Sequence, residues 1–402
     1  MRAKSSYNYN LEAIRGAASL SVVLYHVVAM KHLINPGYHP QEGILSFLFP
    51  SETSVLIFFV LSGYVIGLTN PQKIADRKSI TTYLKKRWVR LYPIYLLVIV
   101  LTILVKSNAW LVILGNLVFL QVILFPVIAG NGALWSLTFE VVYYLLFIVL
   151  SSLNIKRVLL GLVLYIGVVT VLPITIHPLL VAFPVGLLFW LSGVAIAYYL
   201  PKSNQEITLN KIIGLILLLI SIRYFRPVFD YLHSLATSHD IWYYNVCSVA
   251  DLALLPFCVL SIVVASGHRF RYLKWLEALV FSTIGVGVLL SLKQIDSVRI
   301  LALLFTVTGV LCYYLPRPIQ LLKYPFRILH FLGGISYGIY VIHFPILWLM
   351  PSLPLPKGTI YSLALRLVIF LGMVILSAFL LEKIYQPYIR KLFYKNSISP
   401  KN

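Results

Sequence analysis

The chain has 402 residues, of which 60% are hydrophobic and 11% charged, and its mean hydropathy is +0.90. Soluble domains carry about 25% charged residues, so the composition excludes an ordinary soluble fold and indicates a polytopic membrane protein. The net charge of +21 reports topology before nucleic acid, because Lys and Arg collect between apolar segments in the positive-inside pattern; a cytoplasmic anionic ligand is the second reading.

The basic N-terminus MRAKSSYNYN leads directly into a first span at Leu11–Lys31. Glu12 and Arg15 interrupt what would be a signal core, and no convincing cleavage site follows, so an uncleaved anchor is expected. Arg15 and His26 are eleven residues apart, which on a helix is about three turns and about 16 Å of rise, on one face. Ionisable groups inside spans usually face the bundle interior and mark a pathway or a site. With a cytoplasmic N-terminus, His26 lies in the outer half, Lys31–Pro50 is external and Thr53–Thr69 returns inward.

Gln72–Arg90 is the densest basic segment, with Lys73, Arg77, Lys78, Lys85, Lys86, Arg87 and Arg90, and is expected as a cytoplasmic loop. Leu91–Val105 then leads out and Leu134–Leu150 leads back. Between them Trp110–Val127 is apolar, but as a single span it would invert everything downstream. A re-entrant or interfacial helix is therefore predicted near residues 110–127, tolerable where protein or a water-filled cavity covers its backbone ends.

Further spans are expected at Val158–Pro173, Leu179–Leu200, Ile212–Tyr224, Val246–Ser266, Trp275–Leu290, Ile300–Leu315, Phe331–Met350 and Ile360–Leu381. The basic joints Lys202–Lys211, His268–Lys274, Pro316–Arg327 and Lys383–Asn402 fall on the cytoplasmic side, and Tyr224–Asn245 falls outside. The expected architecture is an all-α bundle of about 10–12 transmembrane helices, in one integral-membrane domain over residues 1–402 with a short cytoplasmic tail at 391–402. No internal repeat is visible. Cys247, Cys258 and Cys312 have apolar neighbours and no metal spacing, and read as packing residues.

Four groups of residues can carry chemistry. The unperturbed pKa of an imidazole, near 6.5, suits His26 to a general base or nucleophile. Glu140, in Trp135-Ser136-Leu-Thr-Phe-Glu140, lies about 9 Å below the start of its span, a depth like that of His26, where a carboxylate can orient an imidazole. Arg87 and Arg90, one turn apart where the chain re-enters the membrane, read either as an anchor to anionic headgroups or as a phosphate clamp. Ser336, Tyr340 and His343 follow at i, i+4 and i+7, one helical face, with His343 about 18 Å above Phe331, again near the depth of His26. Glu52 and Asp251 also sit at or within spans, without an assignable role.

Five signatures in order carry a resemblance: Arg15 and His26 within LEAIRGAASLSVVLYH; Phe58-Phe-Val-Leu-Ser62-Gly-Tyr64; Arg87-Trp-Val-Arg90 with Leu91 and Pro93; Trp135-Ser-Leu-x-x-Glu140; and Ser336-Tyr337-x-x-Tyr340 with His343. The chain resembles the integral-membrane acyltransferase family 3, which O-acylates bacterial sugars and related acceptors. Many relatives carry an acidic residue two positions before the Phe-Phe pair; here that position is Leu56, and any such role falls away or passes to Glu52. The esterase-like domain fused to some relatives is expected to be absent.

The resemblance implies an O-acyltransferase of the bacterial inner membrane that moves an acyl group, acetyl first, from cytoplasmic acyl-CoA to a hydroxyl of a surface-polysaccharide or lipid-linked sugar. Acetyl-CoA or another acyl-CoA would be the donor, with no permanently bound cofactor, no metal and no nucleic-acid partner. Arg15, Arg87 and Arg90 would hold the donor. His26, oriented by Glu140, would be base or covalent acyl carrier; Ser62, Trp135, Ser136, Ser336, Tyr337, Tyr340 and His343 would line the channel or bind the acceptor. The rival class is a transporter or flippase of a saccharide or lipid-linked precursor, which inverted repeats and paired broken helices would favour.

Overall fold

The computed structural model describes residues 9–38, 50–171, 177–203, 207–235, 247–294, 296–316 and 319–395. Most of the expected loop Lys31–Pro50, the end of the span Val158–Pro173, much of the joint Tyr224–Asn245 and the last residues of the tail lie outside these. The described residues are helical: α1 (Tyr9–Ala29), α2 (Ser51–Thr69), α3 (Arg77–Val105), α4 (Trp110–Leu117), α5 (Trp135–Leu150), α6 (Ile155–Val171), α7 (Leu179–Tyr199), α8 (Leu209–Ser221), α9 (Pro227–Leu235), α10 (Leu255–Ser266), α11 (Leu273–Ser291), α12 (Ser297–Tyr314), α13 (Lys323–Gly333), α14 (Ser336–Leu349), α15 (Ile360–Phe379) and α16 (Gln386–Lys395).

Among the described residues, 10 helices are long and apolar enough to cross a membrane, or up to 11 with the pair Gln320–Gly333 and Ser336–Ser352, which is bent at its break. That agrees with the expected bundle, with two local corrections. The sequence suggested one span over Phe331–Met350, but the chain breaks there at Gly334–Ile335. The basic segment expected as a loop is helix from Arg77 onward, because the Asp76 carboxylate accepts from the Ser79 N–H at 3.0 Å and caps α3. Arg87 and Arg90 therefore stand on a rigid helix. The start of the expected tail is likewise helical, in α16.

Residues 110–127 form no single span, as expected: α4 has 8 residues, and a turn region follows. Its backbone is covered by protein. The Asn116 side chain donates to the Val112 and Pro126 carbonyls and accepts from the Ile128 N–H, while Tyr95 donates to the Asn116 carbonyl at 2.7 Å.

The chain divides into two compact units: Met1–Tyr25, Glu42–Pro71 and Leu153–Gly334 in the first, His26–Gln41, Gln72–Ser152 and Ile335–Asn402 in the second. In the first, α2 and α7 approach through two glycines: a Cβ on Gly63 would strike the Trp190 carbonyl, and one on Gly193 the Val60 carbonyl. Such small-residue contacts let backbones pack closely where lipid supplies no hydrophobic drive. Pro184 within α7 leaves the Leu180 carbonyl without its helical donor, and the Tyr165 hydroxyl takes that place at 3.0 Å. Cys247, Cys258 and Cys312 are buried and free.

The second unit is built on α14, which packs against α3 and α15. Glu382, in a π-helical turn after α15, accepts from the Gly338 N–H at 3.0 Å and so caps the start of α14. Arg366 on α15, fully buried, donates to the carbonyls of Ile34, Met350, Leu353, Leu355 and Pro356, fixing the turn after α14.

Candidate functional site

The candidate residues in the second unit form two polar groups along α14, α5 and α3. In the first, Nε2 of His343 lies 3.2 Å from Nδ1 of His26, with the ring centroids 5.1 Å apart. Phe344 closes against both imidazoles at 4.6 and 4.7 Å. His343 is fully buried and His26 is half-buried.

One turn before His343, the Tyr340 hydroxyl lies 3.1 Å from the Ala133 carbonyl and 2.8 Å from the Ser136 hydroxyl, which itself reaches the same carbonyl at 3.3 Å. Both side chains are buried. Tyr340 thereby ties α14 to the start of α5. Ser336, at 2% exposure, has a hydroxyl with no hydrogen-bond partner among the described residues, an uncommon state for a buried polar atom. Trp135 is buried and meets Phe139 edge-on at 5.3 Å.

The second group lies on α3 and α5. The Tyr144 hydroxyl donates to a Glu140 carboxylate oxygen one turn away. The Arg87 guanidinium stands 5.9 Å from the Tyr144 ring and 5.7 Å from that of Tyr83, within cation–π range. Arg90, exposed on the next turn, adds its charge at Tyr144, and its carbonyl accepts from the Gln386 side chain at 2.8 Å. Tyr337 donates to the Leu91 carbonyl at 2.9 Å, joining α14 to α3. The structure thus brings His26 to His343, Ser136 to Tyr340, and Glu140 to Tyr144. A pair of imidazoles suits proton or acyl handling; a helix-borne guanidinium pair beside a carboxylate and phenols suits an anion.

Arg15 and Ser62 belong to the first unit. Arg15 is no lone cation, since its guanidinium pairs with Glu12 at 3.0 Å on the same helix. Ser62 accepts from the Trp190 indole N–H at 3.3 Å, a bond between α2 and α7. Glu52 pairs with Arg226 at 2.7 Å, and Asp251 closes a capping box with Ser248, so both acidic residues that had no assignable role have structural partners. Depth along the helices placed His343 level with His26, and the structure sets the two rings facing each other across 317 residues. Sequence spacing missed Glu382 and Arg366; the only local signal was the rarity of such charges in apolar helices.

A family model described as an acyltransferase domain, that of acyltransferase family 3, matches residues 8–383. No curated protein and no solved structure matches the chain.

Proposed function

Because the chain belongs to acyltransferase family 3, we propose that it moves an acyl group, acetyl first, from cytoplasmic acyl-CoA to a hydroxyl of a surface-polysaccharide or lipid-linked sugar in the bacterial inner membrane. The family gives a membrane acyltransferase. The observation that carries the finer reading is the half-buried imidazole of His26 held 3.2 Å from a buried one.

In this reading the phosphates of the donor dock on Arg90 and Arg87, whose planar forks suit them. The thioester arm passes the Glu140–Tyr144 pair toward His26. Transfer needs the acceptor hydroxyl to lose its proton as the thioester carbonyl is attacked. His26 takes that proton as general base and returns it to the departing CoA thiolate, which leaves as the thiol. Or His26 attacks the thioester itself, CoA leaves as thiolate and is protonated from water, and the acceptor hydroxyl then attacks the acyl-imidazole and gives its proton to the imidazole that is released. Tyr340, Ser136 and Ser336 offer hydroxyls to an acceptor sugar or to the developing oxyanion. Donor side and acceptor side follow from the positive-inside orientation, with both termini cytoplasmic.

The test is purified protein in proteoliposomes with radiolabelled acetyl-CoA and a crude cell-envelope glycan. Label on the glycan is expected, and its loss in His26→Ala, with folding retained. Full transfer by His26→Ala would remove the central assignment, and glycan accumulation across the bilayer without label would replace the enzyme by a transporter.

A further inference from the structure

The hydrogen-bond chain through the two imidazoles has a direction. Nδ1 of His343 lies 3.3 Å from the carbonyl oxygen of Ile339, one turn earlier on α14. A carbonyl oxygen only accepts, so this nitrogen carries the proton. A neutral imidazole has one N–H, which leaves Nε2 of His343 with a lone pair. That lone pair faces Nδ1 of His26 at 3.2 Å. Two lone pairs at this separation repel, so Nδ1 of His26 is the donor, and the basic lone pair of His26 is on Nε2. The opposite assignment would set a bare Nδ1 of His343 against the Ile339 oxygen. A doubly protonated His343 would place a full charge on a side chain with 0% exposure, at high desolvation cost.

We propose that His343 is a positioning residue: it accepts the Nδ1 proton of His26 and so fixes both the ring and the tautomer in which Nε2 is the reacting nitrogen. The proposal rests on the reading of His26 as the reacting group, and it sharpens that reading to one atom. It applies equally to a base and to an acyl carrier, since Nε2 takes the hydroxyl proton in the first role and the acyl group in the second. It also gives His343 a role distinct from lining the channel, because a residue that only lines it has no need of a lone pair at Nε2. Ser136 and Tyr340 then serve the same face independently, through the Ala133 carbonyl.

The experiment combines three variants with a direct reading of the proton. Histidine-labelled full-length protein in nanodiscs is observed by ¹⁵N NMR, with the His26 signals identified by their disappearance in His26→Gln. Wild-type protein is expected to show His26 protonated at Nδ1 and bare at Nε2. His343→Phe, which keeps a ring but no acceptor, is expected to lose that preference. Its kcat should fall about 10- to 100-fold, by analogy with the loss of the partner that orients a metal-bound histidine, with KM for acetyl-CoA unchanged. His343→Gln, whose side-chain oxygen reaches the place of Nε2, is expected to recover most of the rate.

Three results overturn the proposal: His26 protonated at Nε2 in the wild type, an unchanged kcat in His343→Phe, or His343→Gln as slow as His343→Phe. The wild-type spectrum decides even if a variant fails to fold. Activity in His26→Ala would instead sink the underlying reading and this inference with it. An inactive His26→Ala beside a fully active His343→Phe would sink this inference alone.

Discussion

The side-chain amide of Asn131 lies 2.9 Å from the carbonyl of Val341, the carbonyl that Pro345, four residues on, leaves without a helical donor. A side chain outside α14 thus completes the hydrogen bonding of the helix that carries Tyr340 and His343. Asn131→Ala is expected to destabilise the protein by about 1–3 kcal/mol, the cost of an orphaned buried carbonyl. Pro345→Ala supplies the missing N–H, so the same Asn131→Ala change made in that background should cost less. Denaturation in detergent of the four proteins of this cycle measures the coupling; strict additivity would show that the Asn131 bond does not serve the proline gap.

Pairings of this kind mark the limit of what the sequence made legible. Span number and the break from a simple up-down order near residue 110 were readable, because hydropathy and charge act over whole helices. The His26 and His343 positions stood out because imidazoles are rare in apolar helices. That the two face each other was not readable: no periodicity relates residues 317 apart, and similar depth on two helices does not fix rotation. The same holds for Glu140, whose depth suggested His26 as a partner, while its own helix offers it Tyr144 one turn away. Local spacing is enough for that contact, since i, i+4 pairs meet whatever the tertiary packing. Charge density alone suggests a loop at Arg77–Arg90, whereas the Asp76 cap starts a helix there.

Arg366 offers its guanidinium to five backbone carbonyls and is fully buried. No other side chain can match that fork, since Lys has three donors at a single point. Arg366→Met should cost more than about 3 kcal/mol, because several buried carbonyls lose their donors together. Arg366→Lys should recover only part of it. The exposed Lys357 sits in the turn that Arg366 organises, so faster tryptic cleavage after Lys357 is the sensitive readout. An unchanged cleavage rate in Arg366→Met would mean that the turn is held by other means.

Arg87 and Arg90 differ in what they touch, and their substitutions should separate. Arg90 is exposed, so Arg90→Ala is expected to raise KM for the acyl-CoA about tenfold or more, the worth of one charge-assisted hydrogen bond, without lowering thermal stability. Arg87 stands against the Tyr83 and Tyr144 rings, so Arg87→Ala should lower stability as well as donor affinity. Tyr144→Phe should leave KM for the donor closer to normal than Arg87→Ala does. Steady-state kinetics with thermal melts in detergent checks all three. If Arg90→Ala changes expression but not KM, the two arginines anchor lipid headgroups instead.

His268 gives the first unit a dependence on pH whose sign is fixed. Its Nδ1 donates to the Leu200 carbonyl at 2.6 Å and its Nε2 accepts from the Tyr64 hydroxyl at 3.0 Å, so both nitrogens are committed in the neutral ring. Burial holds the imidazole below its ordinary pKa, and the Lys202 ammonium adds to the effect, against the opposing bond to Leu200. Below the ordinary value of about 6.5 the unfolded chain binds a proton that the folded one refuses. Stability from this site is therefore fully present above about pH 6.5 and is lost as pH falls toward the lowered folded value. His268→Phe should remove that slope while also losing the two hydrogen bonds at every pH. Melting temperatures of both proteins between about pH 5 and 8 test this, and a wild type that loses no more stability than the variant on acidification would show that the ring is not held neutral.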